Sequence, residues 1–356
     1  MTAIGGQFQP GAALRLIGSA VDVYKRIFVE GDTAQLLSRP HPVRHSGYDY
    51  EVVVEQIEQE ADRVVSLRLR DPDGAMLPAW TPGAHLDVFL PSGRQRQYSL
   101  TGDPADRRSY RIAVRLIVGG GGGSVEIHRR LRVGDRLRVR GPRNAFPFVE
   151  ASCYVFVAGG IGITPILPMV AAAERAGVPW RLMYLGRTRA RMPFLYELAQ
   201  FTGGDVVVRP DDEFGHPDPR MIFEQTPTGA AVYVCGPPPL AEAARTVLAV
   251  HDPTVSLHTE RFSPLPVRRG EPFRIRLHRS GFDVEVAADE SALTAIRRVL
   301  PDVAYSCQQG FCGTCKVGVR VGAVEHRDRL LRATEREHSM LTCVSRACGG
   351  ELELDL

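Results

Sequence analysis

Four cysteines near the end of the 356-residue chain, Cys307, Cys312, Cys315 and Cys343, follow the spacing C-x4-C-x2-C with one distant partner. That is the ligand spacing of a plant-type 2Fe–2S cluster. Such a centre passes one electron at a time, so the rest of the chain must explain where electrons enter. Three of the thiolates come from one tight loop, Ser306 to Cys315, in which Gly310 and Gly313 let the backbone curl without Cβ clashes. The fourth must be brought back by the fold. Free thiols, a disulfide or a zinc site are the competing readings. Zinc sites present paired C-x2-C arms, and only Cys312 and Cys315 form such a pair. Cys348 breaks the pattern and reads as an ordinary thiol, and Cys153, opening an apolar strand, reads as a small buried hydrophobe.

A second chemistry-bearing stretch is the apolar run Tyr154–Ala158 leading into Gly159-Gly160-Ile161-Gly162-Ile163-Thr164-Pro165 and a helical pattern. Strand, glycine turn and helix together bind a pyrophosphate, with Gly160 and Gly162 as close-approach positions and Thr164 adding a hydroxyl. The third glycine of the full dinucleotide fingerprint is missing, so a merely tight turn also fits. A later strand ends in Cys235-Gly236-Pro237, which puts Cys235 at the ligand crevice, beside whatever ring the dinucleotide carries. Where an acidic residue would hold a ribose 2′-hydroxyl, the chain has Gly186-Arg187-Thr188-Arg189. Arg187 could accept a 2′-phosphate, stack on adenine or rest in solvent; sequence chemistry does not choose between NADPH and NADH.

A nicotinamide gives up two electrons together, whereas the cluster takes one. A flavin is the cofactor that bridges the two. In the β-rich region, Arg96-Gln97-Tyr98-Ser99-Leu100 offers a guanidinium for a phosphate, a flat ring for an isoalloxazine and a hydroxyl for a ring nitrogen. Gly119 to Gly123 followed by Ser124 reads as a second flexible loop rich in free amides, suited to phosphate or ring oxygens. Each signal alone also fits surface strand or linker.

The elements that must position these residues divide the chain into an arm and three modules. Residues 1–46 carry Leu14, Ile17, Val21, Tyr24 and Phe28 at helical spacing, an amphipathic helix suited to packing on protein or, with Arg15, Lys25 and Arg26 beside it, to peripheral membrane contact. Residues 47–149 show short alternating runs broken by Pro and Gly, the pattern of a small antiparallel barrel. Residues 150–263 alternate strands and helices, implying a doubly wound parallel sheet. Residues 264–356 read as hairpin, helix opened by Ser291, and cysteine loop, a β-grasp ferredoxin-like domain. A formal net charge of +3 gives no case for nucleic acid. No apolar run is long enough to span a membrane, no signal peptide is evident, and seven cysteines with four assigned to iron suit a reducing cytoplasm.

Arg96–Leu100, Gly121-Gly122-Gly123-Ser124, Gly159–Pro165, Cys235-Gly236-Pro237 and the cysteine motif occur in the order of the phthalate dioxygenase reductase and vanillate demethylase reductase family, which residues 48–356 resemble. The resemblance implies FMN in the barrel, NADH in the parallel domain and a 2Fe–2S cluster at the C-terminus. It implies electron delivery to a separate oxygenase, a Rieske non-haem iron hydroxylase or a haem monooxygenase. By the same resemblance Arg96 meets the FMN phosphate, Tyr98 packs on the ring, Ser99 faces its N5, Gly122, Gly123 and Ser124 complete the flavin pocket, and Thr164 and Cys235 lie near the nicotinamide. Phe262 resembles the aromatic that shields the flavin. Gln308 and Phe311, between the ligands, are expected nearest the acceptor. Two other readings stand beside this one: a self-contained NAD(P)H–flavin reductase and a non-catalytic iron–sulfur sensor. The last 92 residues hold 14 Lys+Arg against 13 Asp+Glu, a formal +1, so docking through a strongly acidic face is not expected.

Overall fold

The computed structural model describes residues 49–118, 122–252 and 254–356. The helix expected in residues 1–46 lies outside them. The first sheet holds β1 (Asp49–Ala61), β2 (Val64–Arg70), β3 (Ala84–Phe89), β4 (Gln95–Ser99), β5 (Ser109–Arg115) and β6 (Arg136–Asn144) in the order β4-β3-β6-β1-β2-β5. All its pairings are antiparallel. Leu100, just past β4, bridges Ile112 of β5, so the two outer strands meet and the sheet closes into a barrel. Alternation decides the inside: Val52, Val54, Leu67, Leu69, Leu86, Val88, Leu137 and Val139 fill the barrel core.

The stretch read as a glycine loop lies outside the described residues at positions 119–121, and its end differs from expectation. Gly123–Arg130 form a helix, α1, behind Gly122 at φ 79°, and Ile127 and the following Leu131 anchor it in the barrel core. Two apolar residues four apart on one face favour a helix once a core is present to receive them. The sequence read alone shows chiefly the glycines.

The second sheet is wholly parallel: β7 (Tyr154–Gly159), β8 (Trp180–Gly186), β9 (Asp205–Pro210), β10 (Ala231–Cys235) and β11 (Ser256–Glu260), in the order β11-β10-β7-β8-β9. The order reverses between β7 and β10, and the C-terminal ends of those two strands form the crevice where such sheets bind ligands. Helices α2 (Ile163–Ala176) and α3 (Pro238–His251) pack on it. Cys153 is half-buried there rather than fully enclosed, since it precedes the strand instead of lying within it.

The third sheet contains β12 (Phe273–Leu277), β13 (Asp283–Val286), β14 (Lys316–Val321), β16 (Ser339–Leu341) and β18 (Glu351–Leu354), in the order β13-β12-β18-β14-β16, with β15 (Val324–Glu325) and β17 (Arg346–Ala347) paired apart. Helix α4 (Ala292–Val299) crosses its face, and the hydroxyl of its N-cap Ser291 accepts from the Thr294 amide. β12 and β13 join through Gly281 at φ 74°, as the hairpin reading required.

Candidate functional site

The three sheets converge on one cavity of about 550 Å3. From the barrel come Arg96, Tyr98 and Ser99 of β4, His85 of β3, Arg115 of β5, and Gly122, Gly123 and Ser124 at the start of α1. From the parallel domain come Thr164, Glu260 and Phe262. From the cysteine loop come Ser306, Cys307, Gln308, Gln309 and Phe311. Stretches far apart in sequence thus line one space, as a relay between a nucleotide and a metal cluster requires.

One end of the cavity suits a phosphate. The first amides of α1 have no partner within the helix and point outward with the positive end of its dipole. Arg96 lies against that terminus: a Cβ added to Gly123 would stand 2.7 Å from its Nε and 2.8 Å from its Cγ. Glycine here leaves room for guanidinium and helix start to meet on one anion. Tyr98 is half-buried and burial raises its phenol, so it stays neutral and offers a ring face. Ser99 is buried and lies opposite His85 in the ladder.

Polar atoms without partners mark the same walls. Among the described residues, His85 Nε2, Glu260 Oε2 and Arg261 Nε are enclosed and lack a hydrogen bond, and all three residues line the cavity. Unmet polar atoms in native walls ask for a ligand or water. Burial pushes the Glu260 carboxyl up to about 8, leaving it protonated at neutral pH and able to donate. Burial also lowers the His85 imidazole, against the pull of Asp87 and with help from Arg143, so it is neutral.

Several expected contacts sit elsewhere. Cys235 is fully buried behind the wall, its thiol pushed well up by burial and then by Glu260; its ladder partner Glu260 is the group that reaches the cavity. Gly162 faces protein: its Cβ would stand 2.1 Å from the Cys235 carbonyl oxygen. Gly162 therefore serves close packing on the end of β10, while Gly160, at φ 55°, curls the chain without such crowding and does not line this cavity. Thr164 does line it, but donates its hydroxyl to the Ile161 carbonyl at 2.9 Å, which leaves it an acceptor. Arg187 is exposed and outside the cavity, yet its charge joins burial in lowering the guanidinium of Arg115 in the wall. Arg189 is held by both oxygens of Glu213 at 2.9 and 2.8 Å. Gln308 and Phe311, expected nearest the acceptor, are half-buried and line the cavity. Glu260, His85 and Arg115 were not distinguished by motif; Glu260 adjoins Phe262 in Glu260-Arg261-Phe262, but only the fold brings its side chain under the crevice.

The cysteines group by twos. The side chains of Cys307 and Cys312 face each other, which holds Cys312 down to about 5 and, with burial, raises Cys307; Cys315 and Cys343 are a like pair, with Cys315 lowered and Cys343 raised. Two cysteine pairs match the number of ligands a binuclear centre takes, and no group of three or more His, Cys, Asp or Glu placed to hold a single metal ion is found among the described residues. Gln308, Gly310 and Gly313 all take positive φ (52°, 79° and 75°), curling the loop around the sulfurs, and the Gln309 amide donates to Cys307 Sγ at 3.3 Å. Leu293, Tyr305, Leu331, Leu341 and Val344 form an apolar shell around Cys315 and Cys343. Cys348 is exposed.

The family model of the 2Fe-2S iron-sulfur cluster binding domain matches residues 275–348. The phthalate 4,5-dioxygenase oxygenase reductase subunit of Pseudomonas putida is 39% identical over 304 residues, covering 83% of this chain and 93% of its own. The solved structure of phthalate dioxygenase reductase, described as modular for electron transfer from pyridine nucleotides to [2Fe-2S], aligns with TM-score 0.66 and 36% identity over 86% of this chain and 98% of that one. An intact type IV self-sufficient cytochrome P450 monooxygenase aligns with TM-score 0.69 and 41% identity over 91% of this chain, which spans 44% of that longer protein.

Proposed function

The chain belongs to the phthalate dioxygenase reductase family, and on that premise we propose that it is the reductase of an oxygenase system, an NADH-dependent flavin iron–sulfur oxidoreductase. The observation that carries the reading is the shared cavity, whose walls join the barrel, the parallel domain and the cysteine loop. FMN, when bound, takes a pair of electrons from a nicotinamide and releases them singly, the exchange that a 2Fe–2S centre needs.

The chain's own residues hold and orient. Arg96 and the amides of Gly123 and Ser124 hold the flavin phosphate, Tyr98 faces its ring, and Ser99 lies beside it. Thr164 as acceptor and protonated Glu260 as donor suit the two ends of a nicotinamide carboxamide, with Cys235 packing from behind. Phe262, half-exposed at 52%, lies at the wall that a nicotinamide must share with the flavin and can cover the ring when no nucleotide is there. Cys307, Cys312, Cys315 and Cys343 would hold the cluster. The division of labour follows: residues 47–149 for FMN, 150–263 for NADH, 264–356 for the cluster, with 1–46 as an arm.

The acceptor is an oxygenase component, Rieske non-haem or haem, in keeping with the systems named for the relatives. No helix among the described residues is long and apolar enough to cross a membrane. The thiols kept for iron favour the cytoplasm as its place. Mixing the holoprotein with NADH in a stopped-flow instrument should bleach the flavin first and the cluster second. Cys312→Ser should abolish cytochrome c reduction and keep ferricyanide reduction. Cluster bleaching without flavin bleaching, or full activity toward the oxygenase in C312S, contradicts the reading.

A further inference from the structure

We propose that Asp87 of β3 is a positioning residue for electron delivery: it clamps Ser306, and with it the cluster loop, against the wall of the flavin cavity. The inference rests on the reading that flavin and cluster occupy the sites just described. Asp87 is completely shut off from solvent, between Leu86 and Val88 of the barrel core. A carboxylate in such a place is costly unless its oxygens are engaged.

They are engaged by the cluster loop. Ser306 Oγ donates to Asp87 Oδ1 at 2.9 Å and lies 3.2 Å from Oδ2. Gln97 Nε2 donates to Asp87 Oδ1 at 3.0 Å and to Ser306 Oγ at 2.6 Å. Arg143 Nη1 stands 3.5 Å from Asp87 Oδ2 and donates to Thr314 Oγ1 at 2.7 Å. Ser306 directly precedes the ligand Cys307, and Thr314 lies between Cys312 and Cys315. One buried carboxylate and its arginine therefore grip the loop at both ends.

The chemistry of the grip explains its use. Apolar surfaces hold two modules together but tolerate sliding, whereas a buried charge with directional partners fixes one register. Misplacement of reacting centres by about 1 Å is enough to slow a reaction by orders of magnitude. Asp87 touches neither cofactor site's reacting atoms; it sets where the loop stands.

The test uses the full-length holoprotein and two variants, S306A and D87N. Amide hydrogen exchange over residues 305–314 reads the clamp itself, and stopped-flow mixing with NADH reads the ratio of cluster to flavin bleaching rates. Both variants should speed exchange in that segment and lower the ratio on the order of tenfold. D87N should do so more, because it leaves Arg143 without its charge partner. Should D87N fail to fold, S306A, which removes one hydroxyl and keeps the Asp87–Arg143 pair, decides the matter. Wild-type exchange and an unchanged ratio in the folded variants overturn the proposal. A wild-type protein whose flavin is not bleached by NADH sinks the functional reading instead, and the exchange comparison still decides the clamp.

Discussion

Glu260 carries a pH dependence that no motif announced. Its carboxyl, raised to about 8 by burial, is neutral below that pH and a donor; above it the group becomes an acceptor with a charge in an enclosed wall. kcat/KM for NADH should therefore fall as pH rises through about 8, and Glu260→Gln, a permanent neutral donor, should flatten that limb of the profile. A wild-type profile flat through this range speaks against the assignment. Gly123 offers a second test at the same scale. In Gly123→Ala the new methyl meets Arg96, whose flexible side chain can yield, so the fold survives while the guanidinium leaves the helix start. Flavin retention should weaken about tenfold, in line with loss of one charge-assisted hydrogen bond, as read by fluorescence titration of the apoprotein. An unchanged affinity removes Arg96 from the phosphate site.

Between β7 and β10 the decisive contact is backbone to backbone. Gly162 presses on the Cys235 carbonyl, and unlike an arginine tip this oxygen cannot move aside, because Cys235 is bound into the parallel ladder between β7 and β11. Gly162→Ala should cost about 1–3 kcal/mol through overpacking, measured by denaturant unfolding, and should lower nucleotide affinity with it. The element also shows that a glycine-rich turn can have two causes. The same residue type serves close approach to a ligand or close approach to the neighbouring strand, and only the packed sheet distinguishes them. At α1 the reverse holds: Gly123, which suggests a loop, begins a helix, because Ile127 and Leu131 have a barrel core to enter.

Across the whole molecule, the barrel is tied to both neighbours by side chains with direction. Arg111 of β5 grips both oxygens of Glu197 at 2.6 and 2.8 Å, and Gln95 and Tyr305 exchange bonds of 2.6 and 3.2 Å with each other's backbone. Tyr305 also belongs to the apolar shell around Cys315 and Cys343, so order at the cluster and order at the barrel contact share a residue. Metal binding by such a shell is folding free energy. Iron removal by a chelator should lower the melting temperature of the C-terminal module and loosen its contact with the barrel, giving an earlier, separate calorimetric transition. One transition at an unchanged temperature contradicts that coupling.

Much of this was legible without coordinates, for a physical reason. Ligand spacing at Cys307, Cys312 and Cys315 is a local geometric demand, as are the alternation in β1–β6, the Ser291 cap and the Gly281 turn; local demands are written in neighbouring residues. The resemblance to a reductase family rests on such local motifs in order. What tertiary structure alone decided are side-chain directions and meetings across long separations. It put Cys235 behind the wall and Glu260 in it, set Gln308 and Phe311 along the cavity, and packed Gly162 on the Cys235 carbonyl. It also brought Asp87 to Ser306 across 219 positions, a contact with no periodicity to betray it. Buried polar partners are chosen by the space two modules leave between them, and that space exists only once both have folded.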